Sequence, residues 1–328
     1  MYSAFLYLIS PKNLFGLNLE YLIFSFFLFV QIHRLNFIRL KYVTWISLWI
    51  SNTILLTLIN YSNIVDFFEI LKELARGLLI FILLNNLRNR INVKRFNLPY
   101  FLLIFNLIIS ILQFYDISSI SELYSQDELY GRASGVFKYL HSNILFYTLF
   151  LLILPIGYLA SLGILIGNAL TLSKLALINL FFLKYNFRLI VAFLSSILIF
   201  LIILAYVGDN KLMAQANALF NFFESSSFIE RRSQLTSYNL IEYIIPKDSP
   251  GTLGLNSHRV EITAFNLLLM HGLLGVWLYY YALYELLKEN KYFFIMISIL
   301  TLIGSPIDEP KAIVCIYFLM FYYHAKNK

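Results

Sequence analysis

The sequence predicts an all-α membrane protein, a polytopic helical bundle of about 11 transmembrane helices (range about 10–12), because its apolar runs approach the roughly 20 residues needed to cross a bilayer core. Composition is the first observation: 60% of the 328 residues are hydrophobic, 13% are charged and the mean hydropathy is +0.74. Distribution is the second. Runs such as Phe101–Tyr115 and Leu189–Val207 are hydrophobic all round instead of striped on one face, as lipid-facing or bundle helices are. Together these exclude a soluble enzyme and predict a single membrane domain over residues 1–328.

Charge asymmetry is the third observation and sets the orientation. Thirteen of the 25 Lys and Arg residues fall in the gaps 33–41, 88–95, 184–188 and 288–291 and in the C-terminal tail. The opposite gaps hold most of the acids, including Asp116, Glu122, Asp127, Glu128, Asp308 and Glu309. Basic residues near a span end resist translocation, so the first set of gaps is cytoplasmic. The net charge of +7 is then orientation charge, and a nucleic-acid partner is not expected.

In chain order, Met1–Ser10 is apolar and lacks a basic leader, which argues against a signal peptide and leaves a short first span or an interfacial segment. Spans follow near 17–32, 43–60, 67–87 and 97–115, then near 189–207, 262–287, 292–304 and 312–324. The stretch 143–187 must cross an odd number of times. Three compact crossings fit, with breaks near Pro155–Gly157 and Ser173–Lys174. Trp45 and Trp49 open a span beside a basic gap, where aromatic residues anchor at the interface. Glu69, Lys72, Glu73 and Arg76 are spaced to pair on one helix surface; the alternative is that Lys72 or Arg76 binds an anion in a water-filled cavity. Cys315 is the only cysteine, which excludes an internal disulfide and CxxC sites.

Two extracytoplasmic loops, 116–141 and the large 208–260, are where chemistry is expected. Within the second, Asn210–Phe223 has the spacing of a helix lying on the membrane. The first carries Tyr130-Gly131-Arg132-Ala133-Ser134-Gly135-Val136-Phe137, then His141-Ser142-Asn143. Arg132 can present a bidentate fork to phosphate oxygens. The second carries Glu230-Arg231-Arg232, the turn Pro250-Gly251-Thr252-Leu253-Gly254, and Asn256-Ser257-His258-Arg259-Val260-Glu261. His258 and Glu261 are three apart and share a face if helical, so either could take a proton from a sugar hydroxyl. Nearby arginines would stabilise a departing pyrophosphate. No P-loop, GxGxxG, HExxH or metal-spaced acidic pair is present, so neither a nucleotide cofactor nor a metal is expected.

Arg132-Ala133-Ser134-Gly135-Val136-Phe137 with Asn143, then Leu172-Ser173-Lys174, the arginine-bearing loop, and Gly272-Leu273-Leu274-Gly275 resemble the O-antigen polymerase and O-antigen ligase superfamily. The resemblance covers roughly residues 130–285. It implies a GT-C-like glycosyltransferase of the bacterial inner membrane, needing no metal or nucleotide sugar. The donor would be an undecaprenyl-pyrophosphate-linked oligosaccharide, and membrane lipids and a chain-length regulator protein would be partners. Lys174 stands where the family has arginine, and Arg231 or Arg232 matches its loop arginine. With Arg132 and Arg259 these would bind pyrophosphate. The family's His-Asn pair is absent as such: Glu261 stands about where that histidine falls, with His258 one helical turn earlier. That departure favours polymerisation of repeat units for O-antigen or capsule over ligation to lipid A-core. A lipid-linked glycan flippase is the alternative of a different class.

Overall fold

The structure is a computed structural model and describes residues 1–12, 19–35, 40–59, 67–87, 97–115, 123–124, 133–137, 140–154, 157–171, 176, 233, 240–246, 263–288, 290–304 and 309–326. Among these the fold is all-α, with ten helices of eight residues or more, one five-residue helix and no strand. In order they are α1 (Tyr2–Ile9), α2 (Leu19–His33), α3 (Leu40–Ile59), α4 (Phe67–Asn86), α5 (Leu98–Phe114), α6 (Leu140–Ile153), α7 (Tyr158–Leu170), α8 (Leu240–Ile244), α9 (Thr263–Leu287), α10 (Lys291–Ile303) and α11 (Pro310–Lys326). The chain forms two compact units, Met1–Pro99 with Tyr238–Lys328, and Tyr100–Ser237.

Helix ends fall where the backbone demands. Ser10, extended before Pro11, ends α1, and its hydroxyl donates to Tyr7 O at 2.7 Å. Pro310 occupies the first position of α11, where a missing N–H costs nothing. The expected break near Pro155–Gly157 separates α6 from α7. The expected span at 189–207, the surface helix at 210–223 and the break near Lys174 lie outside the described residues. So do the side chains of Glu69, Lys72 and Glu73. Among the described residues one helix, Thr263–Leu287 counted through its kink at Gly272, is long and apolar enough to cross a membrane; the shorter apolar helical stretches run 10–17 residues. The described runs read as spans are thus helical, from 13 residues in α10 to 25 in α9.

In the first unit, α4 packs against α2, α3, α9 and α11. Gln31 ties one end: Asn86 Nδ2 donates to its backbone and side-chain oxygens at 2.9 and 3.0 Å, and the Tyr317 hydroxyl donates to its Oε1 at 3.3 Å. At the opposite end the buried Lys311 ammonium donates to Ser10 O at 2.8 Å, within electrostatic reach of Glu20 and Glu309. Trp45 Nε1 donates to Leu278 O and Asn52 Nδ2 to His271 O, so α3 and α9 run antiparallel. The end of α2, the start of α3, the ends of α4 and α11 and the α9–α10 turn therefore gather at one end of this unit. Those are the helix ends flanking four of the five basic gaps.

Trp45 and Trp49 correct an expectation. Both are buried: the Trp49 ring lies 4.9 Å from that of His271, tilted by 37°, and Trp45 donates its indole N–H to α9. A buried indole N–H needs an acceptor, and the Leu278 carbonyl within α9 supplies it.

The expected single span at 262–287 is broken. Gly272 has φ 64° and ψ −172°, a backbone state essentially confined to glycine. From the α9–α10 turn, Gly272 and Gly304 are each about 21–23 Å distant at 1.5 Å per residue. Thr263 N–H donates to Gly304 O at 3.0 Å. The half-helix Thr263–His271 thus starts and ends at comparable heights and crosses the unit instead of extending the line of residues 273–287.

The second unit packs α6 against α7. Gly167 allows close approach, since a Cβ there would collide with the Tyr147 ring and hydroxyl.

Candidate functional site

All seven residues that the sequence marks for chemistry, Arg132, Lys174, Arg231, Arg232, His258, Arg259 and Glu261, lie outside the described residues. What the structure does describe is the segment that follows Arg132, together with the polar framework that holds it.

Asn106, Ser110 and Gln113 are spaced i, i+4, i+7 along α5 and so share one face of an otherwise apolar helix. All three are buried and turn toward Ala133–Phe137 and α6. Gln113 grips Gly135 with both ends of its amide: Nε2 donates to Gly135 O at 3.0 Å, and Oε1 accepts from Gly135 N–H at 2.8 Å. Asn106 Oδ1 accepts from Val136 N–H at 2.9 Å, while its Nδ2 donates to Asn143 Oδ1 at 2.8 Å. Asn143 Nδ2 in turn donates to Ala133 O at 3.2 Å. The directions are mutually consistent, so each amide's orientation follows from its partners.

The segment closes on itself as a turn. Phe137 N–H donates to Ser134 O at 3.3 Å, and Gly135 at the first central position has φ 62°. Only glycine takes that conformation at no steric cost, and a Cβ here would also overlap Asn106 Oδ1. Ala133 N–H donates to Leu170 O at 3.0 Å, fixing the turn to the end of α7. The residue after Arg132 is thereby joined to the residue four before Lys174. Ser134 Oγ is fully buried and makes no hydrogen bond.

In the same unit, Tyr124 packs edge-on to Phe105, and burial pushes its phenol up to about 12. It is a neutral hydrogen-bond donor at physiological pH, not a base.

In the first unit, His271 is buried between Trp49 and the break at Gly272. His141 lies half-exposed in the first turn of α6. A small gap among α4, α9 and α11 is lined by Ile80, Tyr279, Leu283, Leu286, Ile313 and Ile316, an apolar set with only a phenol among its polar groups.

The chain matches no protein-family model, no curated protein and no solved structure. The amides Asn106 and Gln113 were missed in the sequence, although three polar residues at helical spacing within an apolar run were the signal that would have found them.

Proposed function

We propose that this chain is a polytopic protein of the bacterial inner membrane that polymerises undecaprenyl-pyrophosphate-linked repeat units at the outer face. The observation that carries the membrane reading is an apolar outer surface around helices that also bury several amides. Outward positions hold Phe26 and Phe29 of α2, Leu55 and Leu58 of α3, Phe101 and Ile108 of α5, and Ile295 and Leu302 of α10. Inward positions hold Gln31, Asn52, Asn86, Asn106, Gln113 and Asn143. An exposed apolar surface of this extent is unfavourable in water and suits a hydrocarbon surround, where buried amides must find partners within the protein. Gathering of the basic helix ends at one end of the first unit supports a single cytoplasmic side.

Support for the chemistry comes from the resemblance around Arg132–Phe137. A turn clamped by Gln113, Asn106 and Asn143 suits the mounting of a residue that must meet a pyrophosphate repeatedly in one geometry. In this reading arginines hold the donor pyrophosphate, and His258 or Glu261 receives the proton of the acceptor hydroxyl. The test is Arg232→Ala in a strain whose own copy is deleted. Surface glycan should collapse to single repeat units while the protein accumulates normally. Chains of normal length would remove Arg232 from the mechanism.

A flippase is the second reading, and the break in α9 favours it, since carriers place discontinuous helices at their binding sites. Deletion then abolishes surface glycan altogether instead of leaving single units.

A further inference from the structure

Residues 240–246 belong to the large loop expected outside the membrane, yet they dock on the break in α9. Ile244 O lies 2.5 Å from where a Cβ on Gly272 would stand, and Pro246 Cδ lies 3.1 Å from the same point. The level of that break is fixed by α3, because Asn52 donates to His271 O and also faces Gly275. Helix α3 continues seven residues beyond Asn52 to Ile59, about 10 Å at 1.5 Å per residue. Over that further length its exposed side chains are Ile54, Leu55, Leu58 and Ile59. Apolar surface thus extends past the height at which Ile244 and Pro246 sit.

The segment is built for such surroundings. Ile241, Ile244 and Ile245 are 71%, 52% and 54% exposed, and at i, i+3, i+4 they form one apolar face. Ile245 N–H donates to Ile241 O at 2.9 Å, and Pro246, which has no N–H, is buried. Glu242 is half-buried and lies off the isoleucine face. Neighbouring exposed residues on α9 (Leu273, Leu274 and Trp277) continue the apolar surface.

We propose that residues 240–246 form a re-entrant element of the outer loop, whose isoleucine face contacts hydrocarbon chains of the outer leaflet. This rests on the membrane reading above. Glycine at 272 is required because the returning backbone lies directly on α9. Residues 240–246 then meet a lipid-linked substrate from within the leaflet.

Spin labels test the idea in the full chain, reconstituted in phospholipid nanodiscs with Cys315→Ala as background. Ile244→Cys and Ile241→Cys probe the segment, Leu58→Cys is the lipid control and Asp127→Cys the aqueous one. Both segment sites should be relaxed more strongly by oxygen than by a nickel chelate, as Leu58 is, and Asp127 should show the opposite order. If Leu58 behaves as lipid-exposed while Ile241 and Ile244 favour nickel, the re-entrant element is wrong and the membrane reading stands. If Leu58 also favours nickel, the membrane reading falls and takes this inference with it.

Discussion

Replacing Gly272 by alanine tests the packing logic of the first unit. Two costs add. An L-residue held at φ 64° and ψ −172° carries strain of order 1–3 kcal/mol. The new methyl also meets Ile244 O at 2.5 Å, against backbone and not a flexible side chain, so α8 must move. Overpacking of this kind costs about 1–3 kcal/mol. Together they amount to about 2–6 kcal/mol, or a fall in apparent melting midpoint of roughly 5–15 °C. Cys315 is buried and is the sole cysteine, so a thiol-reactive dye reports the opening of this unit directly. Gly157→Ala serves as control, since nothing lies within 4 Å of its added methyl. A Gly272→Ala protein melting within about 1 °C of the parent would refute both the strained break and the seating of α8 on it.

Gln113→Leu removes both bonds to Gly135 and leaves a buried N–H and C=O unpaired; unfolding followed by circular dichroism should show a loss of about 2–4 kcal/mol. Ser134→Ala removes a buried hydroxyl that has no partner, so stability should be unchanged or higher in the same melt. Lys311→Met removes the buried cation within electrostatic reach of Glu20 and Glu309 and should lower the Cys315 dye midpoint far more than Lys291→Met, which changes an exposed residue at the start of α10.

Much of the helical layout was legible because apolar runs bounded by proline and glycine mark helices whatever surrounds them. The breaks at Ser10–Pro11 and Pro155–Gly157 were visible as sequence. Residue 272 was not, because His271-Gly272-Leu273 is locally indistinguishable from a continuous span; the break depends on Ile244 arriving from 28 positions upstream. The burial of Trp45 was equally hidden, since its acceptor, Leu278 O, lies on a helix 233 positions away. At the site, the turn at Gly135 could be read from its two glycines, but its clamps could not be assigned without knowing which face of α5 turned toward it.

Sidedness carries the whole account, and impermeant maleimide on intact spheroplasts measures it most directly. In the Cys315→Ala background, Asp127→Cys should label from outside, and Arg90→Cys only after the membrane is opened. Labelling of Arg90→Cys from outside, with Asp127→Cys protected, would place the arginine loops in the cytosol and contradict sugar transfer at the outer face.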